Sequence, residues 1–426
     1  MEINRGAYNP ESEKRKWAVI TLLCLAFIVA YFQRQNFSIV LTDRNFRTFF
    51  HLSDNARGFL NSAFFWSYAA LQIPAGWLVD RYGVKRPFAI GFALWSVLAG
   101  CTAWAGSARD LFFLRFLLGG AEAINTPAGM RWIRSHVESR RHGFVMGLYQ
   151  AAAKIGPAIG APLTVGLMLA YGWRAMFMIL GFGSLAWLIP WLLLTRDDDR
   201  PPKQTTSHQS ESYSTGFAQL MRSRAMWGII IGTFCYNYFN YFCLTWLPAY
   251  FAERRGLSLN STGWFTGWSF WGLAAVAIVS GLAADRMIER GYDVIATRKA
   301  FIVAGFLIAS TELLGAASSS NNTALFFAIF SLSGLGLATG NYWALSPVIL
   351  PNAPAAQLAA IQNLAASLPG ILAPLITGWL KTATGGYEAP MATNFFFLLL
   401  GIGSYIFLVR PQYAPGAKLQ LSPLHT

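Results

Sequence analysis

Charge is what this chain has least of: 12% of its 426 residues are Asp, Glu, Lys or Arg, about half the share of a soluble globular protein. With 54% hydrophobic residues and a mean hydropathy of +0.40, that scarcity leaves an integral membrane protein. The four cysteines, Cys24, Cys101, Cys235 and Cys243, stand singly in apolar runs without metal-ligand spacing, so they read as packing residues. His51, His136, His142, His208 and His425 fall in loops or ends, which excludes a histidine proton relay inside the membrane. No Gly-Lys-Ser/Thr phosphate loop occurs, so ATP-driven pumping is not expected, and neither is any metal, nucleotide or other cofactor. Strand alternation does not recur, and helices remain the only credible spanning elements. A cleavable leader is not expected either: residues 1–16 are polar, and the apolar run that follows lacks a small-residue cleavage site.

What is present is a succession of apolar runs, each long enough for roughly 30 Å of hydrocarbon. They fall near 17–40, 56–79, 87–106, 110–132, 142–170 and 174–195, then 224–251, 260–284, 298–317, 323–348, 354–381 and 388–409. This predicts an all-α membrane protein of twelve transmembrane helices in two six-helix bundles, 17–195 and 224–409. Around them lie a tail at 1–16, a polar Pro-bearing linker at 196–223 and a second tail at 410–426. A short surface helix is expected near 216–222, and Asp197 to Asp199 read as a solvated charge run in the linker. Lys14, Arg15, Lys16, Arg81, Lys85, Arg86, Arg134, Arg140, Arg141, Arg286, Arg290, Arg298, Lys299 and Arg410 all fall on one side. By the positive-inside rule that side is cytoplasmic, with both termini inside. The net charge of +14 is thus mostly a topology signal and calls for no nucleic-acid partner.

The fourth run carries Arg115 and Glu122 in its middle, seven residues apart and so on nearly the same helix face. A charge at the bilayer centre costs roughly 2.5 to 3.5 kcal/mol even on lenient insertion scales, so such a face points at protein or at a water-filled path.

The two halves repeat. The second run ends in GWLVDRYGVKR, Gly76 to Arg86, and the eighth in GLAADRMIERG, Gly281 to Gly291, at corresponding places and on the same side. Two similarly oriented halves are the parallel-repeat arrangement of certain transporters. The chain thereby resembles the major facilitator superfamily: Gly76, Asp80, Arg81, Gly83, Lys85 and Arg86 match its loop signature, with a degenerate copy at Gly281, Asp285 and Arg286. Gly76 would let a neighbouring helix approach, and Asp80 would bind a helix terminus or basic side chain as a latch. The alternative is that Asp80 and Arg81 only flank a membrane helix.

A narrower likeness joins Tyr31, Gln33 and Arg34 in YFQRQNFS, the run YNYFNYFCLTWLPAYF from Tyr236, and the Arg115 and Glu122 pair. Together these resemble the anion:cation symporter family of bacterial galactonate, hexuronate, glucarate, tartrate and phthalate permeases. The resemblance implies Arg34 as ligand of a substrate carboxylate, Glu122 as proton-coupling acid and Arg115 as the residue that tunes it. Independently, a guanidinium inside an apolar span suits bidentate carboxylate binding. The alternative is a static ion pair that only joins helices. Where galactonate-type members have a titratable Asp before the Arg, this chain has Gln33, so fewer protons per anion are expected.

Lys154, in QAAAKIGPAIGAP, is expected to be a second anion contact favouring a substrate with two anionic groups, to pair with Glu122, or to snorkel. Tyr31, Tyr68, Gln150, Tyr238, Tyr342, Trp343 and Asn363 are the polar or aromatic cavity candidates, with Asn237 and Tyr241 beside them. Glu312 reads as a packed or interface residue. The expectation is a bacterial-type inner-membrane secondary transporter that works as a monomer and imports a small organic anion with protons by alternating access. An exchanger or efflux carrier of the same fold is the alternative, and a membrane enzyme the remote one.

Overall fold

The computed structural model describes residues 10–196 and 217–415, and among these every regular element is helical. Twelve long helices cross back and forth: α1 Pro10–Val40, α2 Asp54–Tyr82, α3 Lys85–Cys101, α4 in two segments (Ala108–Glu122 and Asn125–His136), α5 and α6 within Ser139–Gly183 and on to Leu194, and α7 Arg224–Ala249. Then come α8 Leu259–Glu289, α9 in two segments (Val294–Ala309 and Glu312–Ala317), α10 Asn321–Ile349, α11 Ala355–Thr384 and α12 Glu388–Gly403. An even number of crossings brings the start of α1 and the end of α12 to one side, the near face; the opposite side is the far face.

The departures from a plain apolar reading have local causes. α1 begins at Pro10, inside the stretch expected as a tail; proline suits a first helical turn, where its missing N–H is not needed. α4 breaks after Glu122 because Pro127 has no N–H to give the Ala123 carbonyl. α5 and α6 are divided by the single residue Gly172, at φ 79°, a left-handed conformation that favours glycine. The surface helix expected near 216–222 is Phe217–Arg222. A helix at Arg44–Phe49, capped by the Asp43 carboxylate accepting from Phe46 N at 2.9 Å, was not anticipated, since RNFRTF carries no long apolar run. Asp197 to Asp199, His208 and His425 lie outside the described residues.

Eight helical stretches are long and apolar enough to cross a membrane by length and composition, and one of them, Val145–Leu194, holds both α5 and α6. α2, α4 and α7 fall short because their composition includes polar and charged residues, among them Arg57, Asn61, Arg115, Glu122, Asn237 and Asn240, all of them buried. Ile73, Ile90, Leu193 and Leu282 point outward and are each more than 60% exposed, as side chains facing lipid would be.

The halves meet along two related seams, α2 on α11 and α5 on α8. The repeat is deeper here than at the loops: 150–163 of α5 reads QAAAKIGPAIGAPL and 362–375 of α11 reads QNLAASLPGILAPL, sharing the Gln, both Pro and the Ala-Pro-Leu. Glycines let the backbones approach. A Cβ on Gly58 of α2 would lie 2.5 Å from the Pro374 carbonyl oxygen of α11, and one on Gly263 of α8 would lie 2.8 Å from the Val165 side chain of α5.

Candidate functional site

One helix break and one glycine contact assemble the site. Glu122 is the last residue before the break in α4, and its side chain is fully buried. Arg34 of α1, 2% exposed, donates Nε to Glu122 Oε1 at 2.7 Å and also brings Nη2 to the same oxygen. Its guanidinium lies over Tyr31 at 4.3 Å, Phe64 at 4.6 Å and Tyr68 at 4.7 Å, a cage of π-faces that holds the cation by its quadrupoles. Tyr68 Oη in turn lies 3.4 Å from Thr126 Oγ1, just past the α4 break. Gly156 lets α5 press on α1, since a Cβ there would sit 2.6 Å from the Ile28 carbonyl oxygen and 2.8 Å from Tyr31 Cβ. This contact sets Lys154 beside the Arg34 helix.

Lys154 reaches across the seam. Its Nζ donates to Asn240 Oδ1 of α7 at 3.2 Å and lies 5.7 Å from the centre of the Tyr236 ring. It therefore neither pairs with Glu122 nor snorkels to a face. Gln150 lies one turn earlier on the same side of α5 and is half-buried. Tyr342 of α10 packs its ring 4.6 Å from Tyr236 and 5.5 Å from Trp343, which continues the lining on the α7 and α10 side. Asn363 of α11 donates to Gln72 Oε1 of α2, a second polar bridge between the halves.

Several expectations are corrected. Tyr238 faces α12 and packs on Phe397 with ring centres 4.3 Å apart. It points into its own bundle because the seam-facing positions of α7 are Tyr236, Asn240 and Tyr241. Arg115 acts on Glu122 through its charge without a direct ion pair; its guanidinium lies over Phe37 at 4.4 Å and Phe64 at 5.2 Å, so Phe64 serves both arginines. Gln33 donates to Ser184 Oγ at 3.2 Å and the Leu180 carbonyl at 3.4 Å, toward α6 and away from the seam. Gly76 has nothing within 4 Å of where a Cβ would stand, so no helix approaches it. Asp80 does find the basic side chain expected of it, in Arg131 of α4, and Asp285 pairs with Arg298 of α9 at 2.9 Å, each within its own half. Arg81 is exposed over Trp77 and Tyr82, Arg86 sits in the first turn of α3, and Arg286 is exposed in the last turn of α8. Glu312 is buried between α9 and α12, where sequence reading expected packing.

Sequence reading missed Phe64, Gln72, Tyr236 and Asn240. The last two had a signal: they stand one helical turn apart in the polar-aromatic run of α7. Phe64 looks like any core aromatic until Arg34 and Arg115 are folded against it.

The model of the Major Facilitator Superfamily matches residues 23–374. The chain is 29% identical over 403 residues to a probable L-galactonate transporter of Escherichia coli, covering 91% of this chain and 88% of the relative. It is 27% identical over 423 residues to a probable galactarate/D-glucarate transporter of Bacillus subtilis, covering 93% of this chain and 92% of the relative. Among solved structures, a bacterial homologue of the human lysosomal transporter Spinster, inward-facing and unoccupied, superposes with a TM-score of 0.77 at 16% identity, covering 95% of this chain and 98% of that one.

Proposed function

The chain belongs to the Major Facilitator Superfamily and is a transporter rather than an enzyme, and from that premise we propose that it is a proton-coupled importer of a small organic anion, of the anion:cation symporter type. The observation that carries the proposal is the buried Arg34 and Glu122 pair, one cation and one acid sharing an oxygen inside the membrane-spanning region. An arriving carboxylate competes with Glu122 for the Arg34 guanidinium, whose planar fork suits it. Protonating Glu122 releases that fork, so proton and anion enter together and the loaded site carries less net charge through the bilayer. The bundles 17–195 and 224–409 then rock about the site, and the anion leaves at the near face, which this reading makes cytoplasmic.

The substrate class follows from charge. Arg34 is matched by Glu122, whereas Lys154 has a neutral amide as its hydrogen-bond partner. A substrate with a second anionic group would supply the missing charge, and relatives named for galactarate and D-glucarate make sugar diacids reasonable first ligands. With Gln33 turned toward α6, Glu122 is left as the proton carrier. The protein would sit as a monomer in a bacterial inner membrane, with no cofactor.

The test is uptake of labelled L-galactonate, galactarate and D-glucarate into proteoliposomes with and without an inward proton gradient. Accumulation that requires the gradient, is abolished by Arg34→Ala, and is replaced by simple exchange in Glu122→Gln supports the proposal. Gradient-independent transport that survives Glu122→Gln overturns symport in favour of an exchanger.

A further inference from the structure

The two seams between the halves are related by the internal repeat, yet they end differently at the far face. On the α2 and α11 seam stand Asp54, Arg57 and Lys381; the positions that correspond to them on the α8 and α5 seam are Leu259, Thr262 and Leu169. The charges were therefore not imposed by the repeat.

They converge on Glu253, in the π-turn Tyr250–Arg254 that ends α7. Glu253 Oε1 accepts from Arg57 Nη1 at 2.8 Å and Arg47 Nη1 at 3.0 Å, and Oε2 accepts from Lys381 Nζ at 2.7 Å and Tyr387 Oη at 3.0 Å. Lys381 also donates to Asp54 Oδ2 at 2.7 Å, and Arg57 to Asp54 Oδ1 at 2.7 Å. Arg47, Asp54 and Arg57 belong to the first half; Glu253, Lys381 and Tyr387 belong to the second. Of the five ion pairs in this group, Arg57 with Asp54 is internal to the first half, Lys381 with Glu253 is internal to the second, and the other three cross. Trp246 of α7 closes the floor, with Arg57 over its ring at 4.8 Å and Lys381 at 5.8 Å. Directly below, Gly58 and Gly378 permit backbone contact, a Cβ on Gly378 lying 2.7 Å from the Asp54 carbonyl oxygen. Arg57 is 1% exposed and Lys381 and Glu253 are mostly buried, so the cluster has a buried centre, with Arg47 and Asp54 at its partly exposed rim.

We infer that the cluster centred on Glu253 is the latch that holds the far side shut, and that its three cross-half ion pairs must break each time the carrier opens to that side. The inference rests on the alternating-access reading but not on which anion is carried. Breaking one partner of a buried network is costly, because it strands the other charge; a cluster of this kind is a switch between two discrete packings.

The experiment measures distances between spin labels at Arg109→Cys and Thr384→Cys, exposed far-face sites in the first and second halves, on a chain whose native cysteines are serine. The parent is expected to show one short population. Glu253→Gln and Lys381→Met are expected to raise a longer-distance population roughly tenfold or more, while Lys381→Arg, which keeps the charge, stays like the parent. An unchanged distribution in Glu253→Gln and Lys381→Met, with gel-filtration profile and melting temperature like the parent's, overturns the latch. Should Glu253→Gln not fold, Lys381→Met decides, since it leaves both arginine contacts to Glu253 in place. The readout needs no substrate, so a failure to transport any organic anion would sink the functional proposal and leave this result standing.

Discussion

Arg34 and Glu122 lie 88 residues apart in sequence and share a hydrogen bond of 2.7 Å, Arg34 donating through Nε from α1 and Glu122 accepting at the break of α4. Each is a charge that the bilayer interior tolerates only because of the other.

Their coupling is measurable as stability. Arg34→Met alone leaves a buried carboxylate without its cation and is expected to cost about 3 to 5 kcal/mol, whereas Arg34→Met with Glu122→Gln should recover much of that loss. Melting in detergent for the two single variants and the double one gives the cycle. Additive losses would show that the pair is not energetically coupled.

Lys154 should discriminate between anions. Losing a charged hydrogen-bonding contact to a buried anion costs about 2 kcal/mol or more, so Lys154→Ala is expected to weaken galactarate uptake roughly thirtyfold and a monocarboxylate only slightly. Competition of both acids against one labelled substrate checks it, and equal losses would remove the dianion reading.

Glycine substitutions separate packed helix faces from open ones. Gly119 of α4 lies against the Phe64 carbonyl oxygen of α2, so Gly119→Ala is expected to destabilise by about 1 to 3 kcal/mol. Gly76 faces open space, and Gly76→Ala should be neutral or gain up to about 1 kcal/mol of helix propensity. If Gly76→Ala instead slows transport at unchanged stability, its face is used in another state of the cycle.

Acid should loosen the far-face latch. Burial pushes the Glu253 carboxyl up, but Arg57, Lys381 and Arg47 outweigh it and hold the group below the ordinary glutamate value. Asp54 is likewise held low: burial raises it, and the Lys381 hydrogen bond and the Arg57 charge prevail. Tyr387 is the remaining titratable contact of Glu253. For carboxyls depressed in the closed state, stabilisation is complete above the ordinary carboxylate range and is lost as pH falls through the depressed values. The label distances should therefore stay constant from about pH 8 to pH 5 and lengthen only below about pH 4. Lengthening near pH 6 to 7 would assign the latch to some other group.

How much of this was legible beforehand differs from residue to residue. Arg34, Glu122 and Lys154 could be picked out because a charge in an apolar run is conspicuous in one dimension. Asp54, Glu253 and Lys381 could not, since charges at helix ends are ordinary in any membrane protein. Tyr238 was misplaced because in a run as uniformly apolar and aromatic as α7 the pattern does not say which side faces the seam. Gly76 was misread for the opposite reason: its motif was clear, but no neighbour occupies that face.

The sequence by itself determined the membrane class, the twelve helices and the repeat, because hydropathy and proline or glycine breaks act over a few residues at a time. Only the tertiary structure decided which partner each charge takes, that Glu122 joins Arg34 rather than Arg115, that Lys154 crosses to Asn240, and that five scattered charges close one face. Those pairings depend on how far the helices rotate and how closely glycines let them pack, and neither is written in the spacing of a single run.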